Sequence, residues 1–340
     1  MKRNMADARA PDYLRRQPIR AKGPNAMTRQ ANPSPLAQAL RAQTGRFTDK
    51  AFDWDAFPSN SGFPELARAQ MRYIGSGGSP KTGDTTTLRP EHFTLSLIYK
   101  EPGRYAACQS HEIEESFLVI SGTLVVGWER DGEVVEVKLG PKDMILNARE
   151  IGHGFRVDGV EPVLMSISVD VGRPLPPVYH YHPREHDTEL ARRFGAEPGK
   201  TLPFDRAGAH PLQQLMSQYV VRHHEQPTIW EKAGFSRKVY VGEGGLSHDT
   251  CRKEMWGVPS RVGIAPFVRP VEDAIMVLEG SLIVGWEESG EVAEVELGPR
   301  DLVQTPAGRK HWFRNDSHQP ATVWTVIGTS GDDGVTYWAE

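Results

Sequence analysis

The chain has 340 residues, of which 38% are hydrophobic and 25% charged, and its net charge is −4 at pH 7. That length suits two domains, and such a charge balance provides no basic field that would attract nucleic acid or a membrane surface. The sequence contains no run of about 18 apolar residues, so we expect no membrane span.

Few secondary-structure elements are predicted at the start of the chain. Residues 1–60 carry Pro, Arg and Asn with little periodicity, which predicts a partly irregular N-terminal arm with one short helix at 34–43. From 61 to 170 the pattern changes to short apolar or alternating runs, such as LSLIY at 95–99. Two of these runs flank the hairpin signal RDG, in which Gly132 can take a positive φ. This region is therefore predicted to be a β domain.

A connecting segment and a second β region follow. Residues 171–238 begin at the Pro-rich stretch VGRPLPPV and predict short helices at 187–194 and 211–224. Residues 239–340 return to short strand candidates, including ATVWTVI at 321–327. We therefore expect two β domains joined by a segment with short helices.

The chain contains an internal duplication. Residues 122–144 reappear at 280–302, with 15 identities in 23 positions and an offset of 158. Upstream, YIGSGG at 73–78 matches YVGEGG at 240–245. Many short strands in two copies, separated by Gly, Pro and Asp turns, predict an all-β chain of two sandwiches or barrels.

The first copy carries a pattern that resembles the first motif of the cupins. That motif is Gly, five residues, His-x-His, three or four residues, Glu, six residues and Gly. Here Gly103, His111, Glu115 and Gly122 stand at the matching positions, and Gln109 replaces the first histidine. The resemblance implies a cupin barrel with a metal site at its mouth.

The second cupin motif is clearest in the second copy. The stretch PAGRKHWFRN supplies Pro306, Gly308, His311 and Asn315 at the family's spacing. The first copy keeps only His153, in register with His311. The chain thus resembles the two-cupin proteins, and more loosely the gentisate-type ring-cleaving dioxygenases. This resemblance implies two tandem jelly-roll-like barrels, with a few short helices in the arm and the connection.

The resemblance also implies that His111, Glu115 and His153 converge on one divalent metal ion per chain. Two imidazoles and one carboxylate leave coordination positions open for water, dioxygen or substrate. Gln109 either completes the ligand set or orients a bound ligand or water. Fe(II) is favoured, and Mn, Ni and Zn also tolerate such ligands. The alternative is a hydrogen-bonded or solvated His–Glu pair at a strand end.

Three functions follow from this site. The first is an Fe(II) dioxygenase acting on a small organic acid or a phenolic compound. The second is a non-redox decarboxylase, isomerase, lyase or hydrolase, in which Glu112, Glu114 or Glu150 moves protons. The third is a non-catalytic module that binds a small molecule. Gln109, Glu112 and Glu150 are the candidate catalytic residues.

The second copy is expected to hold no metal. The 158-residue offset places Phe267, Arg269 and Asp273 at the positions of Gln109, His111 and Glu115. We expect Arg269 to take the ion's place in a charge pair with Asp273 or Glu272. The alternative is that Arg269 binds an acidic ligand.

Other features of the sequence bear on the cellular location of the protein and on its assembly. His180, His182 and His186 are read as a polar loop in preference to a second metal site. The basic N-terminus lacks the apolar core of a secretory signal, and two distant cysteines suggest no disulfide framework, so we expect a cytoplasmic protein. Exposed strand edges favour a homo-oligomer. The expected partner is a small-molecule substrate.

Overall fold

The computed structural model describes residues 33–77, 79–81, 83–247, 251–328 and 336–337. Over this part of the chain the structure consists of four β-sheets and a few short helices, which confirms the all-β prediction. The α-helices are α1 (Pro35–Ala42), α2 (Thr188–Arg192) and α3 (Pro211–Ser217). Short 3₁₀ helices span Phe47–Asp49, Pro58–Asn60 and Pro64–Leu66. None of the described helices is long and apolar enough to cross a membrane.

The strands follow the duplication. The arm and the first copy contain β1 (Thr44–Gly45), β2 (Ala69–Ile74), β3 (Thr94–Lys100), β4 (Tyr105–Ser110), β5 (Glu115–Ser121), β6 (Leu124–Arg130), β7 (Glu133–Leu139), β8 (Met144–Asn147), β9 (Gly152–Arg156) and β10 (Val163–Val169). The connection contains β11 (Val178–Tyr181), β12 (Thr201–Pro203), β13 (Val220–Val221) and β14 (Ile229–Trp230). The second copy contains β15 (Ser236–Val241), β16 (Arg252–Val258), β17 (Phe267–Val268), β18 (Asp273–Glu279), β19 (Leu282–Glu288), β20 (Glu291–Leu297), β21 (Leu302–Thr305), β22 (Lys310–Arg314), β23 (Ala321–Ile327) and β24 (Thr336–Tyr337).

The first barrel is built from two six-stranded sheets, in the orders β13-β8-β5-β10-β3-β2 and β11-β4-β9-β6-β7-β12. Phe117 and Val119 of β5 and Trp128 of β6 belong to its buried interior. The turn between β6 and β7 has positive φ at both Asp131 (56°) and Gly132 (77°), as a two-residue I′ hairpin requires. The predicted hairpin is thus confirmed.

The second barrel pairs a seven-stranded sheet, β1-β21-β18-β23-β16-β15-β14, with a five-stranded sheet, β20-β19-β22-β17-β24. Leu36 and Leu40 of α1 pack into its core. The helix expected at 34–43 is therefore confirmed, and it packs on the second copy. Residues 1–32 of the expected irregular arm lie outside the described residues.

The connecting segment contributes to both barrels. Strands β11, β12 and β13 extend the sheets of the first barrel, and β14 extends the large sheet of the second. The helix predicted over 211–224 ends at Ser217, so the prediction was wrong for its last turns. The reason is tertiary, because Val221 and Val220 pair with Met144 and Ile145 of β8.

The two barrels share an apolar interface. One core cluster combines first-barrel residues such as Met71 and Leu97 with second-barrel residues such as Met276 and Trp324. Within this contact, Nζ of Lys253 lies 2.6 Å from Oδ2 of Asp170, and both side chains are fully buried. The sheets of the two copies therefore pack face to face.

Candidate metal centre

Three strands of the first barrel position the predicted ligands. Glu115 is the first residue of β5. Its side chain lies on the same inward face as that of Phe117, because side chains two residues apart lie on the same face of a strand. His153 lies on β9, where it is the backbone partner of Gln109 on β4. His111 follows the end of β4 directly. Residues distant in sequence are thus brought to one point.

The three side chains form a compact buried cluster. Oε2 of Glu115 lies 3.3 Å from Nε2 of His153 and 3.6 Å from Nε2 of His111. One ligand atom from each residue lies within 4.8 Å of the others. The exposed fractions are 4% for His111, 5% for Glu115 and 1% for His153. This is a spacing at which a single cation can contact all three.

The hydrogen bonds around the cluster fit a cation. Nδ1 of His153 lies 2.9 Å from the carbonyl oxygen of Ile151, which can only accept, so Nδ1 carries the proton. The other ring nitrogen, Nε2, faces the Glu115 carboxylate at 3.3 Å. A positive charge between a ring nitrogen and a carboxylate stabilises both, whether that charge is a proton or a metal ion. The donor set therefore fits a metal ion.

Gln109 lies at the edge of this cluster. Its Nε2 is 3.2 Å from Nε2 of His111, while its Oε1 is buried without a hydrogen-bond partner among the described residues. A half-turn of the amide would direct that oxygen to the side of the imidazole nitrogens. The geometry is compatible with Gln109 as a weak ligand or as a hydrogen-bond partner of a bound water.

The electrostatics keep the cluster in its ligating form. Burial lowers the pKa of His111, so its imidazole is held neutral. Burial alone would raise the pKa of Glu115, but the neighbouring His111, His153 and Arg68 hold it below its usual value. Neutral imidazoles and an ionised carboxylate are the forms that bind metal.

A small cavity of about 20 Å³ lies beside the cluster, lined in part by Arg68, Gln70, Gln109, His111 and Glu115. This is space for about one water molecule. It is closed enough that a ligand within it would be almost completely desolvated.

Arg68 is the feature of this cavity that sequence reasoning missed. The residue is 5% exposed, and its guanidinium lies 3.9 Å from the centre of the Phe57 ring. Its Nε is buried without a hydrogen-bond partner among the described residues. Burial lowers the pKa of Arg68, yet a guanidinium remains charged in proteins. A buried cation thus faces the ligand cluster.

A sequence signal for Arg68 did exist. Arg68 directly precedes β2, Gln70 and Arg72 lie within it, and all three are buried and alternate with apolar residues. Polar side chains at every second position of a buried strand indicate a polar interior face. The motif spacing drew attention to residues further along the chain.

The proposed acid–base residues are not at the cavity. Glu112 is exposed, and its Oε1 accepts a hydrogen bond of 2.8 Å from the backbone of Leu175. Glu114 is buried but forms a two-pronged ion pair with Arg149. Glu150 is exposed with a φ of 63°, and its backbone N–H donates to the carbonyl of His111 at 2.8 Å. Glu150 therefore helps to place the His111 loop through its backbone.

The histidines of the connection were expected in a polar loop, but His180 belongs to β11, and His182, which follows that strand directly, is buried. Nε2 of His180 lies 2.9 Å from the Ser110 hydroxyl. The ring of His182 packs edge-on between Phe63 and Tyr179. Its Nδ1 accepts a hydrogen bond from the backbone of Arg184. The ring of His186 lies 5.2 Å from that of Tyr181, so all three histidines contact polar or aromatic neighbours within the connection or on β4 and the segment before β2.

The second barrel shows the same geometry with different side chains. Phe267 is the backbone partner of His311, as Gln109 is of His153. Oδ2 of Asp273 lies 3.1 Å from Nε of Arg269 and 3.1 Å from Nε2 of His311. The expected charge pair between Arg269 and Asp273 is present.

Glu272 has a different role. Its fully buried carboxylate accepts hydrogen bonds from the backbone N–H groups of Glu91 and His92 in the first copy, and from Nε2 of Gln304. Gln304 also donates to the carbonyl of Arg89 at 2.9 Å. The second barrel thus holds a loop of the first.

Comparison with known proteins supports this architecture. Residues 258–328 match the family model described as the cupin domain. No curated protein sequence matches the chain. The oxalate decarboxylase of Lactobacillus farciminis, solved as a formate complex, is 12% identical with a TM-score of 0.63, covering 87% of this chain and 88% of that chain.

Oxalate decarboxylase from Bacillus subtilis has a similar fold. Its structure at pH 4.6 is 11% identical with a TM-score of 0.65, covering 93% of this chain and 87% of that chain. A structure from work on the Mn(II) centres of the same enzyme is 13% identical with a TM-score of 0.62, covering 87% and 79%. At such identities the likeness shows the fold alone. Residues 258–328 thus form a cupin domain, and the chain as a whole has the two-barrel architecture of bicupin proteins.

Proposed function

We propose that this protein is a metal-dependent enzyme that acts on a small carboxylic acid by non-redox chemistry, with decarboxylation as the favoured reaction. The observation that carries the proposal is the buried Arg68 guanidinium beside the His111–Glu115–His153 cluster. A fixed cation next to a ligand set selects a substrate that is itself an anion.

The metal in this proposal is one divalent ion held by His111, Glu115 and His153, with Gln109 at the edge of the ligand set. Mn(II) is favoured over Fe(II), because a structure of similar fold has Mn(II) centres. Ni and Zn also tolerate these donors. When bound, such an ion supplies Lewis-acid polarisation of a substrate oxygen.

The protein side chains bind the substrate, exclude water and position the reacting groups. Arg68 binds and orients the substrate carboxylate, because its planar guanidinium can donate two parallel hydrogen bonds. The Phe57 ring and the closed cavity exclude water from the reacting group. Gln109 positions a bound water or a substrate oxygen by hydrogen bonding.

A basic vestibule supports an anionic substrate. A cleft of about 600 Å³ shares Gly77 with the metal cavity. Its lining includes four cationic residues and one acidic residue, namely Arg72, Lys81, Arg89, Arg173 and Asp84. Arg72 and Lys81 both pair with Asp53, and the positive charge that remains in excess contrasts with the net charge of −4 for the chain. Such a field draws anions toward the site and leaves room for a substrate body outside the metal cavity.

The Fe(II) dioxygenase favoured by the sequence receives less support than this alternative. The structures of similar fold are decarboxylases, and no feature of the described residues singles out dioxygen as a reactant. The similarity to gentisate-type enzymes stays a prediction.

The test compares gas exchange in protein loaded with Mn(II), Fe(II) or Zn(II). A panel of small mono- and dicarboxylic acids, including oxalate, is supplied while CO₂ release and O₂ uptake are measured together. The proposal predicts that CO₂ is released and that the amount of O₂ consumed does not match the amount of CO₂ released. Arg68→Gln should lower kcat/KM by at least about tenfold while retaining the metal.

The matched control is Arg130→Gln, which removes an exposed guanidinium from the same barrel. It should leave turnover unchanged. Consumption of one O₂ for each substrate, with both oxygen atoms recovered in the product, would instead establish a dioxygenase. Full activity of the Arg68→Gln protein would remove the observation on which the proposal rests.

A further inference from the structure

The second barrel contains a cavity that is equivalent, position by position, to the metal cavity of the first. On β3, Ser96 is paired with Ile167, and on β16, Glu254 is paired with Thr325, at the same offset of 158 residues. The same offset relates Thr94 to Arg252 and Ile98 to Trp256. The wall positions of the two cavities can therefore be compared directly.

The replacements change both the size and the chemistry of the cavity. Arg252, Glu254 and Trp256 replace the small or apolar residues Thr94, Ser96 and Ile98. From β15, Arg237 takes the place of Gln70, as the Tyr73–Tyr240 match indicates. The second-barrel cavity has a volume of about 260 Å³, against about 20 Å³ in the first. It is large enough for a small organic molecule.

One buried carboxylate fixes two of the arginines. Glu254 is 3% exposed, and its Oε1 accepts hydrogen bonds from Nη1 of Arg237 at 2.8 Å and from Nε of Arg252 at 2.7 Å. Its Oε2 accepts from Nε1 of Trp256 at 2.6 Å. The two guanidinium groups are thus held in place before any ligand arrives, which reduces the entropy cost of binding.

These arginines keep donors for a ligand. Carboxylates engage Nε and Nη1 of Arg237 and Nε and Nη2 of Arg252. Among the described residues, no partner engages Nη2 of Arg237 or Nη1 of Arg252. Arg269 lines the same cavity and is oriented by Asp273. Three oriented guanidinium groups therefore surround one space.

The rest of the lining is aromatic. Phe235, Trp256, Phe267 and Phe313 line the cavity, and the rings of Trp256 and Phe313 are stacked with centroids 5.1 Å apart. Glu231 and Glu243 also lie on the wall, so that together with Glu254 three carboxylates balance the three guanidinium groups. A lining without net positive charge fits a singly charged anion with an apolar body better than phosphate, which carries more charge.

We propose that the second barrel is a metal-free binding site for a small monocarboxylic acid with an apolar body. The carboxylate contacts Arg252 and Arg269, and the body packs on the aromatic rings. This assigns a ligand to the second copy, which lacks the predicted metal ligands of the first. The proposal is independent of the reaction assigned to the first barrel.

The test uses benzoate as the probe, in full-length protein carrying His153→Ala so that no carboxylate binds through a metal at the first site. Isothermal titration should show about one benzoate per chain. Arg252→Gln and Arg269→Gln should each weaken binding by about tenfold or more, because each removes charge-assisted hydrogen bonds. Benzamide, the uncharged relative of benzoate, should not bind measurably.

The control Arg41→Gln removes an exposed arginine from α1, which packs on the same barrel, and should leave benzoate affinity unchanged. Arg252→Lys keeps the charge but loses the planar fork, so it should bind severalfold more weakly even if the glutamine variants fail to fold. Absence of benzoate binding, preference for inorganic phosphate, or equal affinity in folded arginine variants would overturn the proposal.

Discussion

Glu115 is the residue on which the first site depends, because it is the only carboxylate of the proposed ligand set. His111→Ala and His153→Ala should each lower metal affinity by more than about 100-fold, since loss of a ligand exceeds the effect of losing a supporting hydrogen bond. Glu115→Gln should also weaken binding, because the amide no longer offsets the charge of the cation. Metal content after dialysis, measured by mass spectrometry, checks these outcomes.

The controls for this prediction come from both barrels. His311→Ala should not change the number of ions per chain, which we expect to be one. Gln109→His should tighten binding if the amide faces the ion, since imidazole nitrogen is the stronger ligand. Full metal occupancy in the His111→Ala protein would rule out the ligand set.

Asp273 of the second barrel should make stability depend on pH. Burial opposes its ionisation, but His311 and Arg269 hold the pKa of Asp273 below the ordinary value of 3.8. Its ionised form therefore contributes stability in full above that value, and the contribution is lost as pH falls toward the lower folded pKa.

Asp273→Asn should lower the free energy of unfolding by about 3 kcal/mol at pH 7, because it removes the buried carboxylate charge that pairs with Arg269. The difference between wild type and variant should shrink below about pH 4. Urea unfolding of both proteins at pH 7 and pH 3 measures this difference. A difference that is the same at both pH values would contradict the pairing.

The strand and turn elements offer a test of how backbone shape is specified. Gly132 has φ of 77°, and a Cβ there would meet nothing within 4 Å. Gly122 has φ of 80°, and its Cβ would collide with the carbonyl oxygen of Pro162. Gly132→Ala should therefore cost about 1 kcal/mol and Gly122→Ala about 3 kcal/mol in urea unfolding. Equal losses would show that steric space does not matter at these turns.

The sequence was informative about elements wherever local pattern decides structure. The RDG hairpin, α1 and most strands could be predicted, because turn chemistry and alternation act over a few residues. The spacing around His111 and Glu115 likewise drew attention to the residues that the fold brings together. The end of α3 could not be predicted, because pairing of Val220 and Val221 with β8 overrides helical propensity.

Arg68 marks the limit of that reasoning. It belongs to no motif and reaches the cavity only because β2 lies in the same sheet as β5. The different character of the two cavities also depends on tertiary structure. Arg237 of β15 meets Glu254 across neighbouring strands, and its spacing in sequence gives no hint of a carboxylate shared with Arg252, which lies two residues before Glu254 on β16.

At the scale of the whole molecule, the ion pair between Lys253 and Asp170 connects the two copies inside their interface. Lys253→Met should lower the free energy of unfolding by about 3–5 kcal/mol, because it removes the buried ammonium charge that pairs with Asp170. The double variant Lys253→Met, Asp170→Leu should recover most of that loss. Denaturant unfolding monitored by circular dichroism compares the three proteins. A double variant no more stable than the single one would show that the pair is needed for more than charge balance.

Assembly beyond one chain stays a prediction. Strand edges such as β20 and β14 end their sheets among the described residues, and edges of this kind commonly pair with another copy.

The contacts of Glu272 and Gln304 have a consequence for how the duplicated chain can change over time. A carboxylate from the second copy fixes the backbone at Glu91 and His92, and Gln304 fixes Arg89, a wall residue of the basic cleft that shares Gly77 with the metal cavity. The copy without the predicted ion ligands thus supports the cleft beside the site of the other. A substitution or deletion that removes these contacts from one copy would also alter the loop of the other copy. We therefore expect the two copies to change together during evolution.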